Sequence, residues 1–169
     1  MKVVLYMAMT LNGYIAKEDD DTGFVSKEEW DSYSRAVRKA GNLVVGHRTY
    51  DILVKQPEFV ELKKVRIVVI SKKPFKTLDS NHLTAKSPDE ALKLLGESGT
   101  VIVAGGGILN ASFMEENLID EIYIDIEPVV FGNGIKLFAD SEFETKLNLI
   151  GVKSLSKDVI QLHYKVKKS

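Results

Sequence analysis

A chain of 169 residues with a formal net charge of −1 and no cysteine is long enough for one sizeable core and too short for two ordinary domains, so a single domain over residues 1–169 is expected. The lack of cysteine excludes disulfides, thiolate nucleophiles and cysteine-bound metals, and the 3 scattered histidines predict no zinc site. The near-neutral charge gives no general attraction to nucleic acid. No apolar stretch approaches the roughly 20 residues that a membrane helix requires. These two features predict a cytoplasmic protein that contacts neither nucleic acid nor membrane.

Short apolar, β-branched runs, which are typical of buried strands, recur along the first two thirds of the chain. They are "KVVLYMAM", "NLVVG", "VRIVVIS" and "TVIVAGG", and they begin at Lys2, Asn42, Val65 and Thr100. The segments between them have helical features. Ser26 and Glu29 form a capping-box pattern, "TYDILV" follows the second strand, Ser87 begins "SPDEALKLLGESG", and "GILNASFMEENL" is the fourth candidate helix.

The last third of the chain changes character. "DEIYIDIEPVV", "TKLNLIGVKSLS" and "DVIQLHYKV" are strand-like, and a short "SKD" turn joins the last two. Strands that alternate with helices pair in parallel through crossovers, whereas strands joined by a short turn pair in antiparallel fashion. The sequence therefore predicts an α/β fold in which a mixed, mostly parallel central sheet ends in an antiparallel C-terminal hairpin, with about four helices.

Three glycines, Gly105, Gly106 and Gly107, lie between a predicted strand and a predicted helix. At this position the backbone can approach an anion, and the first N–H groups of the helix point toward it. The spacing matches neither the dinucleotide fingerprint nor the P-loop. The local pattern leaves two interpretations, a phosphate cradle and a plain strand-to-helix turn.

Two other predicted strands also end in groups suited to phosphate. "VVGHRTYDIL" places Arg48 and Thr49 after one strand, and "VISKKP" places Ser71 and Lys72 after the next. Each alone is equally compatible with solvated surface residues. Because ligands of open α/β sheets collect at the carboxyl ends of the strands, three such ends together favour a phosphate-bearing ligand.

The segment "TLNGYIAKEDDDTGFVS" joins the first strand to the first helix. Its acidic run, Glu18 to Asp21, is interpreted either as a solvated loop or as a mobile flap. Glu29 and Asp31 are the carboxylates that could donate a proton nearby, although Glu29 is also expected to cap the helix and Asp31 to face solvent. No catalytic residue is assigned from the sequence.

Over nearly its whole length the chain resembles the dihydrofolate reductase-like superfamily, and within it the branch that contains the reductase domain of riboflavin biosynthesis, here in a stand-alone form. The similar segments are "MAMTLNGYIA", "VSKEEWDSYSRAVRKAGNLVVGHRTYDIL", "VISKKP" and "VAGGGILNASFMEENLIDEIYIDIEPVVFGNGIKLF". "EPVVFGNGIKLF" resembles the "P-x-x-x-G-x-G-x-x-L-F" pattern of the riboflavin branch, whereas "GHRT" and "GGG" are shared more widely. The resemblance implies a three-layer α/β fold, NADPH as cofactor and a homodimer.

The resemblance also implies which positions contact NADPH. In the family, the "GHRT" residues and the backbone after the glycines hold the phosphates, the serine after the next strand borders the adenosine, and the first strand and the segment after it border the nicotinamide. The implied positions in this chain are Gly46, His47, Arg48, Thr49, Ser71, Lys72, Gly105, Gly106, Gly107, Ile108, Leu109, Ala8, Ile15 and Ala16. Gly105 and Gly106 match a pair that is joined by a cis peptide in dihydrofolate reductases.

The implied substrate positions are Asn12, Ser26 and Arg38. Asn12 replaces an acid of the riboflavin branch, Ser26 matches a hydroxyl at the pocket edge, and Arg38 matches an arginine that contacts the substrate phosphate. Val103 and Ala104 stand where pathway enzymes often carry a glutamate before the glycines, and "VAGGG" is closer to dihydrofolate reductases.

Together these features predict an NADPH-dependent reductase that transfers a hydride to a small heterocyclic substrate, with 5-amino-6-(5-phosphoribosylamino)uracil of the riboflavin pathway as the best single candidate. In such a reaction the cofactor carries the chemistry and the protein supplies orientation and electrostatics. Two alternatives stay open, a dihydrofolate or other pteridine reductase and a non-catalytic NADPH-binding protein.

Overall fold

The computed structural model describes residues 1–97 and 99–168, in which ten strands and five helices follow one another along the chain. The strands are β1 (Lys2–Thr10), β2 (Tyr14–Ala16), β3 (Asn42–Gly46), β4 (Arg66–Ile70), β5 (Leu83–Ala85), β6 (Thr100–Val103), β7 (Glu121–Glu127), β8 (Ile135–Lys136), β9 (Leu147–Ser154) and β10 (Ile160–Val166). The helices are α1 (Lys27–Ala40), α2 (His47–Leu53), a 3-10 helix (Pro57–Leu62), α3 (Pro88–Leu95) and α4 (Gly107–Glu115). None of the helices found in these residues has the length and apolar character that crossing a bilayer requires.

Eight of the strands form one sheet in the order β5-β4-β3-β6-β1-β7-β10-β9. Neighbours from β5 to β7 pair in parallel, whereas β10 is antiparallel to both β7 and β9. The predicted mixed sheet with an antiparallel C-terminal hairpin is therefore confirmed. The strand predicted from Val65 begins at Arg66, and the short strands β2, β5 and β8 were not predicted because two or three residues show no periodicity.

Two apolar clusters, one on each face of the sheet, join the three layers. Because side chains alternate along a strand, Val3 and Leu5 of β1 pack under α3 and α4, whereas Val4 and Tyr6 pack under α1, α2 and the 3-10 helix. Burying a large apolar side chain of this kind stabilises the fold by roughly 1.5–3 kcal/mol. The three-layer architecture thus follows from strands that are apolar on both faces.

Helix α1 begins where Ser26 was predicted to cap it, but Glu29 does not complete the capping box. The Ser26 hydroxyl accepts a hydrogen bond from the Glu29 N–H at 3.2 Å. The Ser26 N–H and hydroxyl both donate to Oε1 of Glu127, at 2.8 and 2.7 Å. The expected capping role of the Glu29 side chain is therefore wrong, because a carboxylate at the end of β7 takes that position.

The third glycine of the triplet is required by close packing at the start of α4. A Cβ atom on Gly107 would lie 2.4 Å from the carbonyl oxygen of Lys136 and 3.3 Å from the amide nitrogen of Ala139. The Gly107 carbonyl accepts a hydrogen bond from that Ala139 N–H at 3.0 Å. The segment after β8 therefore lies directly against the backbone of α4, and only a residue without a side chain fits between them.

We expect Gly107→Ala to lower the free energy of unfolding by about 1–3 kcal/mol, because backbone on both sides must move to admit the methyl group. Gly132→Ala is the matched control, since a Cβ atom there would meet no atom within 4 Å. Urea unfolding of both variants measures the difference. Equal stability of the two variants would contradict the close packing described for Gly107.

Candidate active site

A large cleft of about 1590 Å³ runs along the carboxyl ends of β3, β4 and β6 and continues between α1 and the 3-10 helix. It brings together nearly all the positions that the sequence assigned to the cofactor. Those that line it are Ala8, Ile15, Ala16, Gly46, His47, Arg48, Thr49, Ser71, Lys72, Gly106, Gly107, Ile108 and Leu109. Their role in binding NADPH stays a prediction, but the structure places them on one continuous surface.

The glycine turn joins the ends of β3 and β6 beside the start of α4. The Gly105–Gly106 peptide is cis, as the resemblance implied, and Gly105 has φ +86°. The Gly105 carbonyl accepts a hydrogen bond from the Gly46 N–H at 2.8 Å, and a Cβ atom on Gly105 would lie 3.0 Å from Cε of Met7. Gly105 therefore packs against β1 and β3 on the side of the turn away from the cleft, whereas Gly106 and Gly107 line the cleft.

The first turn of α4 opens onto this cleft. Its N-cap is Gly106, and no side chain of the described residues caps it. Ile108, in that turn, is 71% exposed. Backbone N–H groups at the start of a helix attract anions, so the arrangement suits the phosphate cradle better than the plain turn.

An ion pair crosses the cleft from the acidic loop to Arg48. Nη2 and Nε of Arg48 donate to the two carboxylate oxygens of Asp20, at 2.6 and 3.1 Å. The loop is held by backbone hydrogen bonds between Lys17 and both Asp20 and Asp21. This segment was interpreted either as a solvated loop or as a mobile flap. The solvated loop fits less well, because Asp20 pairs with the Arg48 guanidinium that was predicted to bind phosphate.

Further cations surround the end of the cleft that lies over β4 and β5. Lys72 and Lys73 follow β4, and Lys86 follows β5. The Ser71 N–H donates to the Ala85 carbonyl and the Ser71 hydroxyl to the Lys73 carbonyl, both at 2.9 Å. Sequence reasoning missed Lys86 because the three-residue strand before it was not recognised.

A buried carboxyl group lines the other end of the cleft. Glu29 of α1 is only 5% exposed, and its carboxyl group has no hydrogen-bond partner among residues 1–97 and 99–168. Burial raises its pKa well above the usual range, and the nearby carboxylates of Asp125 and Glu127 raise it further. Glu29 therefore retains its proton to a higher pH than an exposed glutamate, as a general acid requires.

Two more carboxyl groups lie behind Glu29 on β7. Asp125 accepts hydrogen bonds from the Tyr6 hydroxyl at 2.9 Å and from Nε2 of Gln161 at 2.8 Å. Burial raises the pKa of Asp125 to about 6. Sequence reasoning missed Asp125 and Glu127, although their alternation in "YIDIE" was a signal that one face of this strand carries acids.

The three positions assigned to the substrate have partners within the protein. Nδ2 of Asn12 donates to the Phe131 backbone carbonyl at 2.6 Å, and Oδ1 of Asn12 accepts from the Phe131 N–H at 3.2 Å. Arg38 pairs with Glu61, and neither Asn12 nor Arg38 lines the cleft. Ser26 does line it, with its hydroxyl bound to Glu127. The geometry thus brings only Ser26 of the three to the cleft.

Comparison with known proteins agrees with this architecture. The model of the RibD C-terminal domain family matches residues 1–161. Uncharacterized protein YwjB of Bacillus subtilis (strain 168) is 35% identical over 170 aligned residues, which cover 96% of this chain and 97% of that protein.

Solved structures share the fold at lower identity. A diaminohydroxyphosphoribosylaminopyrimidine deaminase/5-amino-6-(5-phosphoribosylamino)uracil reductase from Thermotoga maritima superposes with a TM-score of 0.74 at 17% identity, over 98% of this chain and 56% of that one. Dihydrofolate reductase from Enterococcus faecalis, solved in complex with NADP(H) and RAB-propyl, superposes with a TM-score of 0.76 at 15% identity, over 99% of this chain and 97% of that one. The dihydrofolate reductase-like fold expected from the sequence is confirmed.

Proposed function

The chain belongs to the RibD C-terminal domain family, and on that premise we propose that it is an NADPH-dependent reductase that transfers a hydride to a small heterocyclic substrate. Family membership supports an oxidoreductase of the riboflavin-pathway type. The observation that carries the proposal is the cleft, which has groups suited to phosphate at one end and a buried, protonatable carboxyl group, Glu29, at the other.

The residues along the strand ends fit NADPH. Arg48, Lys72 and Lys86 supply positive charge, and the uncapped first turn of α4 supplies N–H donors for a pyrophosphate. Similarity in fold to a dihydrofolate reductase that binds NADP(H) supports the same cofactor here. Asp20 pairs with Arg48, so a cofactor phosphate that takes the guanidinium must displace a carboxylate.

NADPH, when bound, supplies the hydride to a C=N or C=O carbon. The protein orients the substrate ring between α1 and the 3-10 helix, where Trp30 and Tyr33 provide aromatic surface. Glu29 holds the proton that the reduced nitrogen or oxygen atom must receive. For the ribosylaminopyrimidine of the riboflavin pathway, the accepting carbon would be that of the opened ribose.

A second candidate, a pteridine reductase, is favoured by the same carboxyl group. A buried acid such as Glu29, which has no partner in the part of the chain that the structure describes, can bind the N–H groups of a pterin ring as well as those of a pyrimidine. A non-catalytic NADPH-binding protein is the remaining alternative from the sequence. It predicts tight NADPH binding without hydride transfer to any pyrimidine, pterin or carbonyl compound.

We expect NADPH to be oxidised in the presence of a reducible pyrimidine or pterin, and Glu29→Gln to lower kcat by about 100-fold or more, because an amide cannot deliver the proton. Since the protonated acid is the active form, kcat of the unsubstituted protein should fall as pH rises through the elevated pKa of Glu29. Absorbance of the reduced nicotinamide measures both effects.

The matched control is Glu28→Gln, the same change at an exposed position in the same helical turn that does not line the cleft. Its kcat should equal that of the unsubstituted protein. Full activity of Glu29→Gln would exclude Glu29 as proton donor. Tight NADPH binding without turnover would replace the proposed reductase with the non-catalytic alternative.

Arg48 should determine the preference for NADPH over NADH. We expect Arg48→Ala to weaken NADPH binding by roughly 10-fold or more with little change for NADH, because a charge-assisted hydrogen bond to the extra phosphate is lost. Arg35→Ala is the control, since Arg35 is exposed on α1 and does not line the cleft. Fluorescence titration gives both affinities, and an unchanged NADPH to NADH ratio would make the assignment wrong.

We also propose that the protein forms a homodimer through the C-terminal hairpin. The edge strand β9 and its neighbour β10 carry large exposed apolar side chains, namely Leu147, Leu149, Ile150, Val152 and Ile160. An apolar, unpaired sheet edge is suited to a second copy related by a two-fold axis. Sedimentation velocity should show that the unsubstituted protein is a dimer and that Val152→Lys dissociates it. The control Leu78→Lys, at an exposed position elsewhere, should leave the dimer intact. A monomeric unsubstituted protein would refute the interface.

A further inference from the structure

The two ends of the cleft carry opposite charge. The end over β3, β4 and β5 is lined by Arg48, Lys72, Lys73 and Lys86, and also by Asp20, which is paired with Arg48. The other end, between α1 and the 3-10 helix, is called the acidic end, and its charged or protonatable lining residues are Lys27, Glu29, Asp31, Glu58 and Glu61. If the cofactor phosphates occupy the basic end, the substrate must bind at the acidic end.

The cations near the acidic end are already paired. Nζ of Lys27 lies 2.7 Å from the Asp31 carboxylate, one turn further along α1. Arg38 pairs with Glu61 and does not line the cleft. Within the described residues, no arginine or lysine at this end is therefore unpaired and directed at a substrate anion.

Glu61 is held in its ionised form by three donors. Arg38 bonds to it most closely, the Ser34 hydroxyl donates at 3.3 Å, and Nε1 of Trp30 donates at 3.4 Å. The hydrogen bond from Arg38 is the main reason why the pKa of Glu61 lies below its usual range. Withdrawing Arg38 to bind a substrate phosphate would place two like charges side by side and leave Glu61 without its cation.

Glu29 gives a second, independent indication of which ligand binds at the acidic end. Glu29 is 5% exposed, and its carboxyl group lacks a hydrogen-bond partner among the residues described. It lines the cleft, and its oxygens are not fully enclosed, so a ligand in the cleft can reach them. Buried polar groups in proteins are nearly always satisfied. An N–H donor of a bound heterocycle would satisfy the carbonyl oxygen of this group. A phosphate or carboxylate could accept only its O–H, and it would then lie at an end of the cleft lined by Asp31, Glu58 and Glu61.

We propose that the acidic end selects a neutral or cationic nitrogen heterocycle that presents an N–H donor to Glu29 and carries no phosphate or carboxylate appendage. This inference rests on the proposed reductase function and narrows its substrate class. It departs from the phosphoribosyl substrate that the family resemblance implies, and it also disfavours intact dihydrofolate, whose glutamate tail bears two carboxylates.

Two matched pairs of probes test the selection. The first is 5-amino-6-ribosylaminouracil with and without its 5'-phosphate, and the second is dihydropterin against dihydrofolate. We expect the member without the anion to have the higher kcat/KM in each pair, by about tenfold, and the difference to shrink as added NaCl screens the carboxylates. Equal or higher kcat/KM for the anionic members would overturn the proposal.

Variants locate the cause of the selection. Glu61→Gln leaves Arg38 without its carboxylate partner. It should therefore lower the ratio of kcat/KM for the probe without phosphate to kcat/KM for the phosphorylated probe by several-fold, and Glu58→Gln should lower this ratio less. Glu142→Gln, an exposed carboxylate that does not line the cleft, should leave the ratio unchanged. If Glu61→Gln folds poorly, the NaCl dependence of the unsubstituted protein decides the question alone.

Calorimetry separates failure of this inference from failure of the proposed function. Binding of the four probes to the NADPH-loaded protein is measured without requiring turnover. Tighter binding of the members without the anion, with no NADPH consumption, would support the selection and refute the reductase. NADPH consumption with equal or tighter binding of the anionic members would refute the selection, as would failure of both uncharged probes to bind.

Discussion

The contact between Glu127 and Ser26 is the interaction on which the arrangement of the cleft depends. A carboxylate at the carboxyl end of β7 accepts both the N–H and the hydroxyl of the residue that begins α1. It anchors the start of that helix to the central sheet and takes the role that Glu29 would have in an ordinary capping box. The Glu29 carboxyl group is thereby left without a partner in the described part of the chain, and Glu29 lies buried at the cleft instead.

This anchoring also explains why one helix serves two parts of the site. The first turn of α1 brings Glu29 and Trp30 to the acidic end, and later turns carry Ser34 and Arg38, whose side chains bond to Glu61. Because these side chains are spaced on one rigid helix, moving Ser26 would displace all of them together. The chemistry of the acidic end is therefore set by a capping contact outside the charged residues themselves.

The parts of the structure that were predictable from the sequence are those with a local signal. Apolar runs marked the strands, Ser26 and Ser87 marked helix starts, and the order of elements placed the strand ends beside one another. The contacts that the sequence could not reveal are those between side chains and partners that are distant along the chain. Asn12 bonds to Phe131, and Glu127 bonds to Ser26, 101 residues away; no pattern in a single segment contains such a pair.

Stability alone does not explain why this fold keeps acids on the inner face of β7. Asp125 has a pKa near 6 in the folded protein, above the 3.8 of an unperturbed group, so the native state binds a proton more readily than the unfolded chain. By linkage, this group contributes less to stability as pH rises from about 4 to 6, and ionised Asp125 is a net cost at neutral pH. A protein with apolar residues of similar volume in place of buried charged groups is often at least as stable. Burial raises the pKa of Glu29, and the acids of β7 raise it further, which places a protonated carboxyl group at the cleft and links the sheet to the proposed chemistry.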